Sequence, residues 1–338
     1  MTKMTLKGAL MTVTFATASV AGAAVQVSAL DLGGGTTVKP NVLLQAWTLG
    51  NENDSSKNQT LRLRRAELKI SGKIADAPSY FFMIDPAKLI PPPGAPNIAA
   101  KNMFQDFGLS YAIVPEFEVT VGQFKAPTTA EGLDSSGNLP LPERSLVGRT
   151  FGDRREMGIR AAYKAEKWNA ATMLSAGRAV SATGEGMAND LHTRIEATPI
   201  EGLGVGTFLT LGGGIDYTAK GRFGLNGRYR LGDADLRAEY ARASDKGVDS
   251  EGMTTEAGYF VTENFEPVMR YEVFRPNPGF ASMAKAETIG VSYFLRDYNS
   301  KIQLAGTAMQ NMAAPNGSPA ATNGVNNKLV TLALQASL

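Results

Sequence analysis

The sequence predicts an all-β fold, a closed antiparallel transmembrane β-barrel of about sixteen strands. Three observations predict it: strict alternation of polar and apolar side chains, connections that are short and long by turns, and aromatic residues gathered beside the short ones. An exclusion stands behind them. Beyond the N-terminal segment there is no apolar run of roughly 18 residues that could form a spanning helix. A spanning chain without such helices must satisfy its backbone groups in a closed barrel, because lipid offers them no partners.

The N-terminus comes first. Lys3 and Lys7 precede the uncharged, small-residue-rich run Gly8 to Val25, and two small-residue sites follow, Ala21-Gly22-Ala23 and Val27-Ser28-Ala29. That order is a signal peptide. Cleavage is expected after Ala29, with Ala23 as the alternative, so residues 1–29 form a removed leader and 30–338 the barrel. The whole chain has 34 basic and 32 acidic residues. Removing a leader that holds two lysines and no acid leaves 32 against 32, a neutral mature chain whose charge gives no ground for nucleic-acid binding. With zero cysteines, disulfides and thiolate metal sites are excluded.

The strands announce themselves by period two. Ala66, Leu68, Ile70, Gly72 and Ile74 alternate with Arg65, Glu67, Lys69, Ser71 and Lys73. Met157, Ile159, Ala161 and Tyr163 alternate with Glu156, Gly158, Arg160 and Lys164, and Leu236, Ala238 and Tyr240 with Asp235, Arg237 and Glu239. The last pattern breaks at Arg242, where the rim is expected. Such alternation means one wet and one apolar face, whereas a helix would spread these charges around its circumference. Segments of roughly 9–13 residues suit tilted strands crossing a bilayer.

The connections alternate too. Ala75 to Pro78, Ile113 to Pro115, Ala165 to Lys167, Pro199 to Gly202, Leu231 to Ala234, Thr262 to Asn264 and Arg296 to Asn299 are minimal. Asn51 to Gln59, Pro86 to Ala100, Ala179 to Asp190 and Asn311 to Asn327 are longer and rich in Gly, Pro, Asn and Ser. Bacterial outer-membrane barrels sort their periplasmic turns and external loops in this way. Tyr80, Tyr111, Phe117, Tyr163, Trp168, Tyr229, Tyr259 and Tyr293 lie beside the short turns, as a headgroup-level girdle requires.

One stretch carries more than rhythm. Leu61-Arg62-Leu63-Arg64-Arg65-Ala66 with Gly72, Val121-Gly122-Gln123-Phe124-Lys125-Ala126-Pro127, Glu131-Gly132-Leu133, Ser135-Ser136, Glu143-Arg144-Ser145-Leu146, and Arg155 with Gly158 follow one another over about a hundred residues. In order and spacing they resemble the phosphate-selective porin O and P family. Thr288 to Phe294 resembles a late strand of that family. Two positions depart from its pattern: Leu338 stands where a terminal aromatic is usual, and Thr128 where an aromatic follows the motif proline. The resemblance implies a homotrimer of sixteen-stranded barrels whose third external loop, here 126–153, folds inward as the constriction. It further implies a passive outer-membrane pore for small hydrophilic solutes or inorganic anions, contacting outer-membrane lipid and needing no cofactor.

Strand parity places Arg65, Lys69, Lys73, Arg160, Lys164, Arg194, Arg222, Arg228, Arg230, Arg237, Arg270 and Lys301 inward. The inward acids are Glu67, Asp85, Asp106, Glu118, Glu156, Glu196, Asp235, Glu239, Glu256 and Glu272. Much of this is expected to be cross-strand ion pairing, leaving a mild anion preference at most. The expected pore-lining and constriction residues are Arg65, Arg160, Arg144, Arg149, Lys125, Glu131, Arg194, Arg237 and Arg270. Because Glu131, Asp134 and Glu143 share the loop with Arg144 and Arg149, anion or cation preference stays open. The run Arg62 to Arg65 is placed at an external strand end, where a lipopolysaccharide or rim role is expected. His192 is the one histidine, its same-face neighbour on the strand is Arg194, and no serine sits beside it along the chain. This disfavours a barrel hydrolase and a His-based metal cluster. A structural or adhesive barrel with a plugged lumen is the other alternative, disfavoured because the lumen face reads as charged and Gly/Ser/Thr-containing.

Overall fold

The computed structural model describes residues 29–53, 57–75, 78–90, 103–176, 190–213, 219–245, 247–275, 283–312 and 325–337. Residues 1–28 of the expected leader 1–29 lie outside them, as does most of Pro86 to Ala100, Ala179 to Asp190 and Asn311 to Asn327. The strands are β1 (Leu30–Asp31), β2 (Thr37–Asn53), β3 (Lys57–Lys73), β4 (Ser79–Ile84), β5 (Phe104–Val114), β6 (Phe117–Lys125), β7 (Arg155–Lys164), β8 (Trp168–Ser175), β9 (Asp190–Ile200), β10 (Leu203–Gly213), β11 (Ala219–Leu231), β12 (Ala234–Asp245), β13 (Val248–Tyr259), β14 (Phe265–Arg275), β15 (Ala284–Arg296), β16 (Ser300–Met312) and β17 (Val325–Ser337). The short β1 folds back antiparallel on the start of β2, Leu30↔Val38 and Asp31↔Thr37. Each later strand pairs antiparallel with the next, and β17 pairs back onto β2 from Asn327↔Asn53 to Ser337↔Leu43. The result is a closed antiparallel barrel of 16 strands. No edge strand is left to lipid, which is what a spanning sheet requires.

The alternation has its physical outcome on each strand. On β15, Ile289 is 73% exposed and its neighbour Thr288 6%. Leu236 and Ile159 likewise face outward while Glu239 and Glu156 are buried. Tyr111, Tyr163, Trp168, Tyr259 and Tyr293 are exposed at the short-turn end, and the rings of Tyr163 and Trp168 lie 5.2 Å apart. Register also fixes charge. Arg237 faces Glu256, and Glu256 faces Arg270, on three successive strands.

Two features depart from the sequence reading. The connection Asn51 to Gln59 is not long, since β2 and β3 remain paired up to Glu52↔Lys57, and the rim does not fall at Arg242, since β12 and β13 remain paired up to Asp245↔Val248. β12 therefore continues past Arg242, which points outward above the apolar band and meets Asp249 at 3.2 Å. The second departure is a register shift between Gln45 and Ala46, opposite Arg64, so that Gln45 pairs with Arg65 and Ala46 with Leu63. Such a bulge reverses the parity of everything beyond it. Arg64 thereby turns inward beside Arg65.

Candidate functional site

The segment 126–154 joins β6 to β7, fifth and sixth of the barrel strands, and runs inside the barrel. It folds into two short helices, α1 (Ala130–Leu133) and α2 (Leu146–Phe151), with a 3-10 turn at Ser136–Asn138 between them. Both helices start with a hydroxyl cap: Thr129 Oγ1 accepts from the Gly132 amide and Ser145 Oγ from the Gly148 amide. The segment is compact because its glycines have no side chain. A Cβ on Gly148 would run into Glu131 Oε2, and one on Gly152 into Thr129 Oγ1.

The wall completes the caps. Glu239 of β12 accepts from the Ala130 amide at 2.5 Å and from the Glu131 amide at 3.3 Å. Glu272 of β14 accepts from the Leu146 amide at 2.5 Å. A carboxylate at a helix N-terminus satisfies orphan amides and favours their positive end. Apolar packing supplies the rest. Leu146, Val147 and Phe151 of α2 bury against Phe208, Ala241, Ala243, Phe274, Ala284, Ala286 and Met309 of β10–β16, and Leu141 against Val268 and Ala305. The inner wall thus carries bulky apolar groups that the reading of a charged, Gly/Ser/Thr-containing lumen face did not foresee.

Between the helices the backbone is irregular, and its carbonyls need donors once removed from bulk water. Lys301 Nζ donates to Leu139 O at 2.6 Å, Ser292 Oγ to Pro140 O at 2.7 Å, Gln335 to Gly137 O at 3.0 Å and Gln45 to Ser136 O at 3.2 Å. Arg194 Nη1 donates to Thr128 O at 2.8 Å. Polar residues spread over β2, β9 and β15–β17 therefore share one task.

At the mouth the bulge brings arginines together. The guanidiniums of Arg62, Arg64 and Arg65 stand 5.0, 5.2 and 5.9 Å from the Trp47 ring centre, within cation–π range. Arg64 Nη2 donates to Glu143 Oε2 at 2.7 Å and Arg65 Nη2 to Glu143 Oε1 at 3.4 Å. Burial alone would raise the Glu143 carboxyl, but Arg64, Arg65 and Arg149 outweigh it and hold it well below the usual carboxylate range. Asp153 is likewise held low against its burial by Arg144, Lys125 and Arg155. Of the run Arg62 to Arg65, expected at an external rim, Arg64 and Arg65 reach the inward segment.

The expected lining residues divide accordingly. Arg144 borders the small space between the segment and β14–β17, but its guanidinium bonds to the segment itself. It is 2% exposed and braces the segment from within, donating to Glu131 O at 3.1 Å, Asp134 O at 2.6 Å and Ser136 Oγ at 3.2 Å. Glu131 is buried too, accepting from the Ser145 amide at 2.9 Å and from Arg270 at 3.2 Å. Arg270 also binds Glu256 Oε2 and the Glu143 carbonyl, and Arg194 binds Glu196 and Asn226 besides Thr128. Arg237 binds Asp235 at 2.6 Å, beside Arg228, which clamps Asp134 of the segment bidentately at 2.7 and 2.9 Å. Arg160 reaches Glu118 and Thr120 and lies over the Phe124 ring. Lys125 donates to Gly132 O and Asp134 O and pairs with Asp153 at 3.2 Å. Arg149 is the exposed one, on α2.

Cavities flank the segment on two sides. A cavity of about 400 Å³ lies between the segment and β2–β7, lined by Lys39, Asn41, Glu67, Lys69, Met83, Asp106, Lys125 and Arg155. Against β14–β17 a cavity of about 80 Å³ is left, with Arg149, Glu143 and Thr307 among its walls.

The structure also supplies the serine that the single strand lacked. Ser175 of β8 sits 3.2 Å from His192 Nε2, and Glu156 Oε2 sits 2.9 Å from the same nitrogen, while Thr210 occupies Nδ1 at 2.9 Å. Ser175 donates to Glu156 at 2.5 Å. A catalytic triad needs its acid on the imidazole nitrogen opposite the serine. Here acid and serine crowd one nitrogen, and Ser175 is fully buried.

Comparison with known proteins places this architecture. The anion-selective porin from Comamonas acidovorans is similar in structure, with a TM-score of 0.65 at 12% identity over 90% of this chain and 100% of that one. The outer membrane channel DcaP of Acinetobacter baumannii gives 0.66 at 12% over 92% and 100%, and Salmonella typhi OmpF, solved with daunomycin, 0.62 at 12% over 91% and 100%. No curated protein matches the sequence. The profile of the family described as phosphate-selective porin O and P matches residues 45–260, well over half of the chain. With the barrel and its inward segment in place, that match assigns the chain to the phosphate-selective porin O and P family, as a passive channel of the bacterial outer membrane.

Proposed function

We propose that the pore conducts small hydrophilic solutes with a mild preference for inorganic anions, and that 126–153 is its constriction. One observation carries this reading: Arg64 and Arg65 both pair with Glu143 at the mouth of the segment, and the charges of Arg62 and Arg149 act on the same carboxylate through space. A constriction lets such a charge act within one Debye length of a passing ion, about 8 Å at physiological salt. Charges paired along the wall, such as Arg222 with Asp245 or Arg237 with Asp235, contribute little net field. Lys39, Lys69 and Lys125 around the larger cavity extend the basic side of the path. No enzymatic role is proposed, since the His192 cluster lacks triad geometry. The mature chain starts at Leu30 in this reading and assembles as a homotrimer, which N-terminal sequencing and native mass spectrometry of the purified protein check.

Selectivity is tested by reversal potentials in a salt gradient. Wild type is expected to favour anions weakly. Replacing Arg62 and Arg149 with Ala, both outside the buried bracing, should move permeability toward cations, less so as salt rises. A cation-preferring wild type, or no shift in the double variant, contradicts the proposal.

A further inference from the structure

Where the inward segment rejoins the wall, potential metal ligands from two strands converge. Glu156 is the second residue of β7, Asp190 opens β9 and His192 follows it on the same face. One ligand atom from each lies within 4.8 Å of the other two, and each residue is 3% exposed. Pairing explains the convergence: on the intervening β8, Ser175 faces Gly158 on one side and Asp190 on the other. Thr210 Oγ1, 2.9 Å from His192 Nδ1, turns Nε2 toward Glu156 Oε2, also at 2.9 Å. A tetrahedral centre with bonds of about 2.0–2.1 Å holds its ligand atoms roughly 3.3 Å apart, so a small adjustment admits one.

We propose that Glu156, Asp190 and His192 form a binding site for one divalent transition cation, best matched by Zn²⁺. One imidazole with two carboxylates suits zinc, whereas calcium and magnesium call for oxygen-only sets. Two carboxylates so near each other in a buried place gain most from a dication between them. Thr210 and Ser175 act as the outer shell, orienting His192 and Glu156. The ion ties β7 to β9 across β8 and pins the exit of 126–154 to the wall. The competing account of the same geometry is an imidazolium–Glu156 ion pair with no metal.

The chain has one histidine and no cysteine, so an imidazole in a zinc coordination shell identifies His192. The full-length mature protein, refolded free of lipopolysaccharide, stripped by chelator and held in detergent, is titrated with Zn²⁺ alone by calorimetry. The loaded protein is then measured by X-ray absorption at the zinc edge. One equivalent should bind saturably, raise the melting temperature and show one imidazole in the shell. His192→Gln should abolish that signature, and Asp190→Asn should weaken binding by about tenfold or more. Failure to take up one equivalent, a shell without imidazole, or equal affinity in wild type and folded variants overturns the site in favour of the ion pair. The wild-type spectrum alone decides if a variant fails to fold.

Discussion

The two halves of the barrel wall differ in what they offer the lumen. From β10 to β16 the inner face presents Phe208, Ala241, Ala243, Phe274, Ala284 and Met309, with Glu239 and Glu272 placed as helix caps. That half receives the inward segment, with a cavity of about 80 Å³ between the segment and β14–β17. From β2 to β7 the face presents Lys39, Glu67, Lys69, Asp106 and Arg155 around about 400 Å³. One half is a dock and the other the side of a passage. In the proposed reading the barrel holds the segment without plugging itself, because the larger apolar cluster lies against β10–β16 and only a small one, Phe124, Ala126 and Met173, on the other side.

Deleting Leu133 to Pro142 breaks the comparison most severely. The deletion removes the middle of the segment and its carbonyl contacts with Lys301, Gln303 and Ser292. Single-channel conductance is expected to rise by roughly twofold or more, with the barrel still folded, since the strands close without it. Unchanged conductance in a folded mutant would show that the segment does not limit flow.

Phe151→Ala acts on the dock alone. Phe151 is 1% exposed and its ring centre lies 5.8 Å from that of Phe274. Truncating a buried Phe costs about 3–5 kcal/mol, here charged to docking and not to barrel closure. The channel should become noisier, with excursions to higher conductance, while the folded barrel persists. The corresponding truncation on the passage side, Lys69→Ala, should leave noise unchanged.

The smallest effect is a pH independence. Glu143 is held below the usual carboxylate range, so its attraction to Arg64 and Arg65 is fully present above the ordinary value of about 4.3 and is lost only as pH falls through the lower, folded value. Anion preference should not rise between pH 7 and pH 4 in the Glu143 cluster's share of the field. A selectivity curve that bends at the ordinary carboxylate pKa in wild type but not in Glu143→Gln contradicts this.

The barrel was legible because its cause is local: side-chain alternation and turn chemistry are written residue by residue. The girdle of Tyr163, Trp168 and Tyr259 was legible for the same reason. What escaped was set by register. The bulge opposite Arg64 carries no composition signal beyond an unbroken Arg64-Arg65 pair, yet it moves Arg64 from rim to lumen. The Ser175–His192 contact joins neighbouring strands and cannot be seen along either one. The bracing role of Arg144 escaped because it is made within an irregular segment, to carbonyls of its own loop. Phe208 and Phe274 face inward by strand alternation, and what the sequence does not show is that α2 covers them there.

The division into dock and passage is tested most directly by cysteine accessibility, since the chain has no cysteine of its own. Lys69→Cys and Thr307→Cys place one thiol on each side of the segment, in the larger and the smaller cavity. A cationic methanethiosulfonate reagent is added to single channels in a planar bilayer. Stepwise loss of current is expected with Lys69→Cys and little change with Thr307→Cys. Current loss confined to Thr307→Cys would put the ion path on the opposite side and contradict the account.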